Sequence, residues 1–188
     1  LKTPKTDHNL LIEKCIQGDE RALMEIYNRY YKAMYNTSIR IVKNNYEAED
    51  IMQEAFITAF KKLDKLENSE NFGAWLKRIV VNKSIEVYKK NISKNETEID
   101  DKLYKLESFD CCNDKALETK TKYENVLSAM SELKDNYGTL LNLNLIEGYD
   151  YDEICEIMSI SYSNCRTMMS RAKDSLRKKL SEMEIVLQ

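Results

Sequence analysis

From Ala48 to Leu63, apolar residues recur at three- and four-residue steps: Ala48, Ile51, Met52, Ala55, Phe56, Ala59, Phe60 and Leu63. That period places them along one stripe of an amphipathic α-helix. The opposite face of its first turns carries Glu47, Glu49, Asp50, Gln53 and Glu54. Asp50, Gln53 and Glu54 are three and four apart, so their acidic and amide heads project side by side. A polar break at residues 67–71 follows. A second helix then opens near Ser69, with Phe72, Trp75, Leu76, Ile79 and Val80 inward and Lys77, Arg78, Lys83, Lys89 and Lys90 outward. Taken alone, the acidic face is explained by helix-start charges that favour the helix dipole.

Only four glycines and one proline interrupt 188 residues, and 43% of the chain is apolar. So few breakers predict an all-α protein. No run reaches the ~18 apolar residues of a membrane span. The start, LKTPKTDHNLL, lacks the apolar core of a signal peptide, so a cytoplasmic protein without membrane insertion is expected. The five cysteines, Cys15, Cys111, Cys112, Cys155 and Cys165, form no metal-ligand spacing and read as free thiols. His8 is the single histidine, which removes histidine triads and Glu-x-x-His metal pairs. No cofactor is expected.

A net charge of −3 argues at first sight against nucleic acid, but its distribution reverses that inference. Residues 123–160 hold one Lys against eight Asp+Glu, whereas residues 161–180 hold six Lys+Arg against one Asp. One strongly basic helix therefore stands in an acidic setting. It follows Tyr151–Met158, a short helix, and the tight turn Met158-Ser159-Ile160-Ser161, where Ser161 can cap the helix to come. Short helix, tight turn and basic helix make a helix-turn-helix. The first residues of such a second helix face the major groove, here Ser163, Asn164, Arg166 and Thr167. Arg pairs with guanine and Asn with adenine. Arg171 and Lys173, further along, are better placed for phosphates. Met168, Met169, Ala172 and Leu176 read as core, and Arg177, Lys178 and Lys179 are equally explained as a solvated helix end.

Upstream, a short helix (LLIEKCIQGD) closes at Gly18, and Asp19 caps a long helix whose inner stripe is Ala22, Leu23, Ile26, Tyr27, Tyr30, Met34, Ile39 and Val42. Its tyrosines read as packed core with hydroxyls at the rim. Leu133, Leu140, Leu141, Leu143 and Leu145 fall on a helix ended near Gly148. Between the halves, residues 91–122 lose any sustained period and read as a linker. The expected organisation is a helical domain at 7–91, a linker at 92–122 and a helix-turn-helix domain at 123–188.

Several of these segments together resemble one family. AEDIMQEAF (Ala48–Phe56) fits the pattern A-E-D-[hydrophobic]-x-Q-E-x-F of bacterial sigma factors. FGAWLKRIVVNKSIEVYKK fits F-x-x-W-L-x-x-I-x-x-N-x-x-x-D-x-x-R, with Glu86 in place of Asp and Lys89 in place of Arg. The Cys15–Tyr27 stretch resembles the opening of the family's promoter-melting domain. Glu147–Ala172 resembles its helix-turn-helix, with Ser159 where Gly is usual. The chain is similar to the sigma-70 family, group IV (extracytoplasmic-function type), over residues 10–90 and 123–180.

The resemblance implies the roles. Asp50, Gln53 and Glu54 would dock on the clamp helices of the largest subunit of core RNA polymerase. The Leu66–Phe72 loop and the helix after it would hold the non-template strand of the −10 element. Asn68, Ser69 and Asn71 would supply hydrogen bonds there, and Lys77, Arg78 and Lys83 charge. Ser163, Asn164, Arg166, Thr167, Arg171 and Lys173 would bind the −35 element. Leu76 stands where housekeeping sigma factors carry a second Trp, which implies weaker melting and a stricter promoter. Promoter DNA, core polymerase and an anti-sigma factor are the implied partners, and no enzyme activity is implied. Two other readings remain at this point. A stand-alone helix-turn-helix regulator would bind duplex DNA unaided, and a metal-dependent helical enzyme would use Glu47, Glu49, Asp50 and Glu54.

Overall fold

The computed structural model describes residues 4–66, 68–94 and 114–186. Among them all regular structure is helical, in two compact units, Leu1–Glu107 and Ser108–Gln188. The linker read at 92–122 lies largely outside the described residues, as do Cys111 and Cys112.

The first unit opens with α1 (Pro4–Ile16), which buries Leu11, Ile12 and Cys15. Gly18 takes a φ of +83°, a left-handed turn without Cβ strain, and Asp19 caps α2 (Glu20–Val42). The Asp19 carboxylate accepts from the amides of Arg21 at 2.9 Å and Ala22 at 3.3 Å. Lys43, at φ 56°, ends α2 by donating its N–H to the Ile39 carbonyl. One residue later the Asn44 side chain caps α3 (Asn45–Lys61) through the amides of Tyr46 and Glu47. Two 3-10 turns, Leu63–Lys65 and Ser69–Asn71, then lead into α4 (Phe72–Lys94).

Helices α2, α3 and α4 pack on one another in all three pairs. The α3 stripe is buried as its period dictates, from Ala48 through Ala59, and Leu63 is buried at the start of the first 3-10 turn. Three of its positions are alanines with no exposed area, Ala48, Ala55 and Ala59, so the neighbouring helices approach closely. On α4 the fully covered apolar positions are Phe72, Leu76, Val80 and Val81, whereas Trp75 and Ile79 stay half-buried. The tyrosines are packed, as expected: Tyr27 lies 4.8 Å from Phe56 and Tyr30 lies 5.4 Å from Phe72, centroid to centroid. Gly73 sits against Tyr30, and a Cβ there would fall 2.9 Å from the ring.

In the second unit, α5 (Asp114–Ser131), α6 (Asp135–Leu141), α7 (Tyr151–Met158) and α8 (Tyr162–Val186) enclose Leu127, Met130, Leu140, Leu141, Leu143, Ile154, Met169 and Leu176. Helix α5 begins within the stretch read as linker. The leucine run is also not one helix. Leu133 lies in the turn between α5 and α6, and after Leu141 the backbone widens into a π-helical turn, Asn142–Ile146. That turn leaves Leu145 exposed, and Gly148 just beyond it takes a φ of +81°.

Candidate polymerase and nucleic-acid interfaces

The acidic strip is presented on the solvent side of α3. Asp50, Gln53 and Glu54 are exposed, while Ile51, Met52 and Ala55 between them are buried. Glu47 is not part of that open strip, because its carboxylate accepts both hydrogen bonds of the Asn91 amide, at 3.0 and 2.9 Å. Gln53 Nε2 donates to Glu49 Oε1 at 3.3 Å. Glu54 reaches across to α4 and pairs with Lys83 Nζ at 2.8 Å. Two exposed apolar side chains that the sequence reading passed over complete the face. Tyr46, 83% exposed, and Ile57, 53% exposed, lie at helical spacing on either side of Asp50 and Gln53. The sequence signal was available, since neither belongs to the buried stripe.

The six residues assigned to single-stranded DNA are not equally disposed. Asn71 and Arg78 are exposed. The Asn68 side-chain oxygen caps the 3-10 turn, accepting from the Glu70 amide at 2.9 Å. Ser69 donates from its hydroxyl to Asn9 Oδ1 of α1 at 2.8 Å, and His8 of the same helix meets the Tyr30 hydroxyl at 2.9 Å. Helix α1 therefore braces this loop, a role no sequence pattern announced because the contact joins residues 60 apart. Lys77 is half-buried, and Lys83 is held by Glu54.

The second unit has the helix-turn-helix the sequence predicts. Asp150 and Glu153 form a capping box that starts α7. Ser159 closes it at φ 57°, ψ 47°, the left-handed conformation that glycine would take without strain. Ser161 Oγ accepts from the Asn164 amide at 3.3 Å and so caps the start of α8. On α8, Cys165, Met169, Ala172 and Leu176 face inward, and Ser163, Asn164, Arg166, Thr167 and Arg171 face solvent. The Thr167 hydroxyl is turned back onto the Ser163 carbonyl at 2.9 Å. Lys173 differs from its exposed neighbours. It is half-buried, with Nζ 3.5 Å from the Tyr151 hydroxyl and 5.9 Å from that ring's centroid. Lys179 bonds Glu132, just past the end of α5, at 2.6 Å, which raises the Lys179 pKa through that hydrogen bond.

Among the described residues, no three or more His, Cys, Asp or Glu side chains are grouped to hold a metal ion, and no helix is long and apolar enough to cross a membrane. The described residues thus hold an exposed acidic helical face and a helix-turn-helix whose second helix is basic. The sigma-70 region 2 model matches residues 26–92, and the sigma-70 region 4 model matches residues 123–176. The ECF RNA polymerase sigma factor SigM of Bacillus subtilis (strain 168) is 30% identical over 153 residues, covering 81% of this chain and 91% of the relative. The ECF RNA polymerase sigma factor SigW of the same organism is 28% identical over 181 residues, covering 92% and 96%. Among solved structures, the sigma factor RpoE of Bartonella quintana, crystallised with the anti-sigma factor NepR, matches with a TM-score of 0.56 at 18% identity, over 84% of this chain and 96% of that one. The chain belongs to the ECF RNA polymerase sigma factors.

Proposed function

We propose that this sigma factor docks on core RNA polymerase through the exposed face of α3, with Asp50, Gln53 and Glu54 as its polar centre and Tyr46 and Ile57 as apolar flanks. The observation that carries this reading is the exposure of that strip: Asp50, Gln53 and Glu54 face solvent while the same helix buries Ile51, Met52 and Ala55 between them. Exposed aromatic and aliphatic anchors around a charged centre suit a protein partner. Asn71 and Arg78, with Lys77 and Lys83, serve the single strand of the −10 element. Asn68 and Ser69 hold the shape of the loop and offer what hydrogen-bonding capacity their capping and α1 contacts leave. The start of α8 reads the −35 element through Ser163, Asn164, Arg166 and Thr167, with Arg171 and Lys173 toward phosphates.

The protein works in the cytoplasm as a non-enzymatic subunit. Residues 7–91 and 123–188 act as its two domains, joined by 92–122. A structural relative was crystallised with an anti-sigma factor, which supports a partner of that kind for this chain. Replacing Asp50 and Glu54 together with Lys tests the docking face: retention by immobilised core polymerase should fall while far-ultraviolet circular dichroism stays unchanged. Undiminished retention removes the assignment.

A further inference from the structure

Helix α1 packs on α2 and on both 3-10 turns that lead into α4. It precedes residues 26–92, the stretch that the region 2 model matches. The turn it leans on, Ser69–Asn71, buries none of its side chains. A turn with no buried side chain of its own draws its order from what it is tied to. At its start, the Ser69 hydroxyl donates to Asn9 Oδ1 of α1 at 2.8 Å. At its end, Phe72 is fully buried with its ring 5.4 Å from that of Tyr30, and Gly73 sits against the same tyrosine. His8 meets the Tyr30 hydroxyl at 2.9 Å and stands edge-on to its ring. Two consecutive residues of α1 thus bear on the turn from both ends, His8 through Tyr30 and Asn9 directly. The exposed Asn71 is held between them.

We propose that Asn9 is a positioning residue for recognition of the −10 element: through Ser69 it keeps the loop in the shape that the open strand meets. The inference rests on the reading of that loop as the −10 contact, and adds to it a residue that touches no DNA. The physical reason is preorganisation. A loop that must be ordered when the strand arrives loses the ordering cost from its affinity, whereas a loop tied down beforehand does not. The tie joins two neutral groups, so removing it changes no charge near the nucleic acid. Because Asn9 acts through the Ser69 hydroxyl, its effect must vanish once that hydroxyl is gone.

Full-length variants assembled with core polymerase test this on a promoter fork, duplex across −35 with only the non-template strand across −10. Asn9→Ala should weaken binding of the fork about 2- to 10-fold, the range that a neutral hydrogen bond spans. Retention by core polymerase and discrimination among −35 variants should stay at wild-type values. Ser69→Ala should lose at least as much, and adding Asn9→Ala to it should cost nothing further. Wild-type fork binding by Asn9→Ala overturns the proposal. So do losses that multiply in the double variant, or a loss that extends to core retention or to the −35 element, since either makes Asn9 a general structural residue. Asn71→Ala and Arg78→Ala, measured alongside, separate this failure from failure of the loop reading. If they weaken the fork and Asn9→Ala does not, the positioning role alone falls. If they too leave it intact, the loop is not the −10 contact and both fall.

Discussion

Glu54 and Lys83 meet at 2.8 Å across 29 residues of sequence, joining the face proposed for polymerase to the helix proposed for the open strand. The carboxylate is 67% exposed and the lysine side chain 28%, so solvent screens the pair. A double-mutant cycle of Glu54→Gln and Lys83→Gln in urea unfolding should give a coupling of about 0.2–1 kcal/mol, shrinking in high salt. Strict additivity at low salt would mean the two side chains do not pair in solution.

Ser159 at φ 57° is a second point of leverage. A left-handed non-glycine residue costs about 1–2 kcal/mol, and glycine's added freedom in the unfolded chain returns about 0.5–1 kcal/mol of that. Ser159→Gly should therefore stabilise the second unit by roughly 0.5–1 kcal/mol, seen as a higher urea midpoint with an unchanged slope. A lower midpoint would show that the serine side chain makes a contact worth more than the strain.

Alkali should loosen both units. Cys15 is held near pKa 11 by burial, with Asp19 and Glu25 adding to it, and Cys165 likewise stands near 11, each against an ordinary value of 9.0. Because the folded pKa is raised, the unfolded chain sheds these protons first. The stability they contribute is complete below about pH 9 and is lost as pH rises toward 11. The fall in the unfolding midpoint over that window should be smaller in Cys15→Ala than in wild type. Equal falls would remove Cys15 from the explanation.

The helices and the turn chemistry were legible because they rest on local rules. The α3 period, the Asp19 and Ser161 caps, and the Ser159 strain all follow from residues within a turn of each other. What stayed hidden was contact over distance. The buried hydroxyls of Ser38 and Ser84 meet at 3.0 Å, and nothing in either helix's pattern marks a polar pair in its core. The same holds for the Ser69 hydroxyl on Asn9 and Lys83 on Glu54, partners 60 and 29 residues away that local spacing does not show. Lys173 reads from its sequence as one more cation on a basic helix, but Tyr151, 22 residues earlier, holds it. The π-helical turn escaped because a widened turn has the composition of the helix it interrupts.

As in any sigma factor that acts as a polymerase subunit, promoter reading by the start of α8 is expected of the polymerase-bound protein. Equilibrium binding of the wild type and Arg166→Ala to single-base variants of a promoter, with and without core polymerase, measures it most directly. Specific binding is expected only with core. Arg166→Ala should lose about 1–3 kcal/mol of discrimination at one base pair of the −35 element and little elsewhere. Equally tight, sequence-specific binding without core would make the chain a stand-alone regulator, and a uniform loss across all variants would make Arg166 a backbone contact.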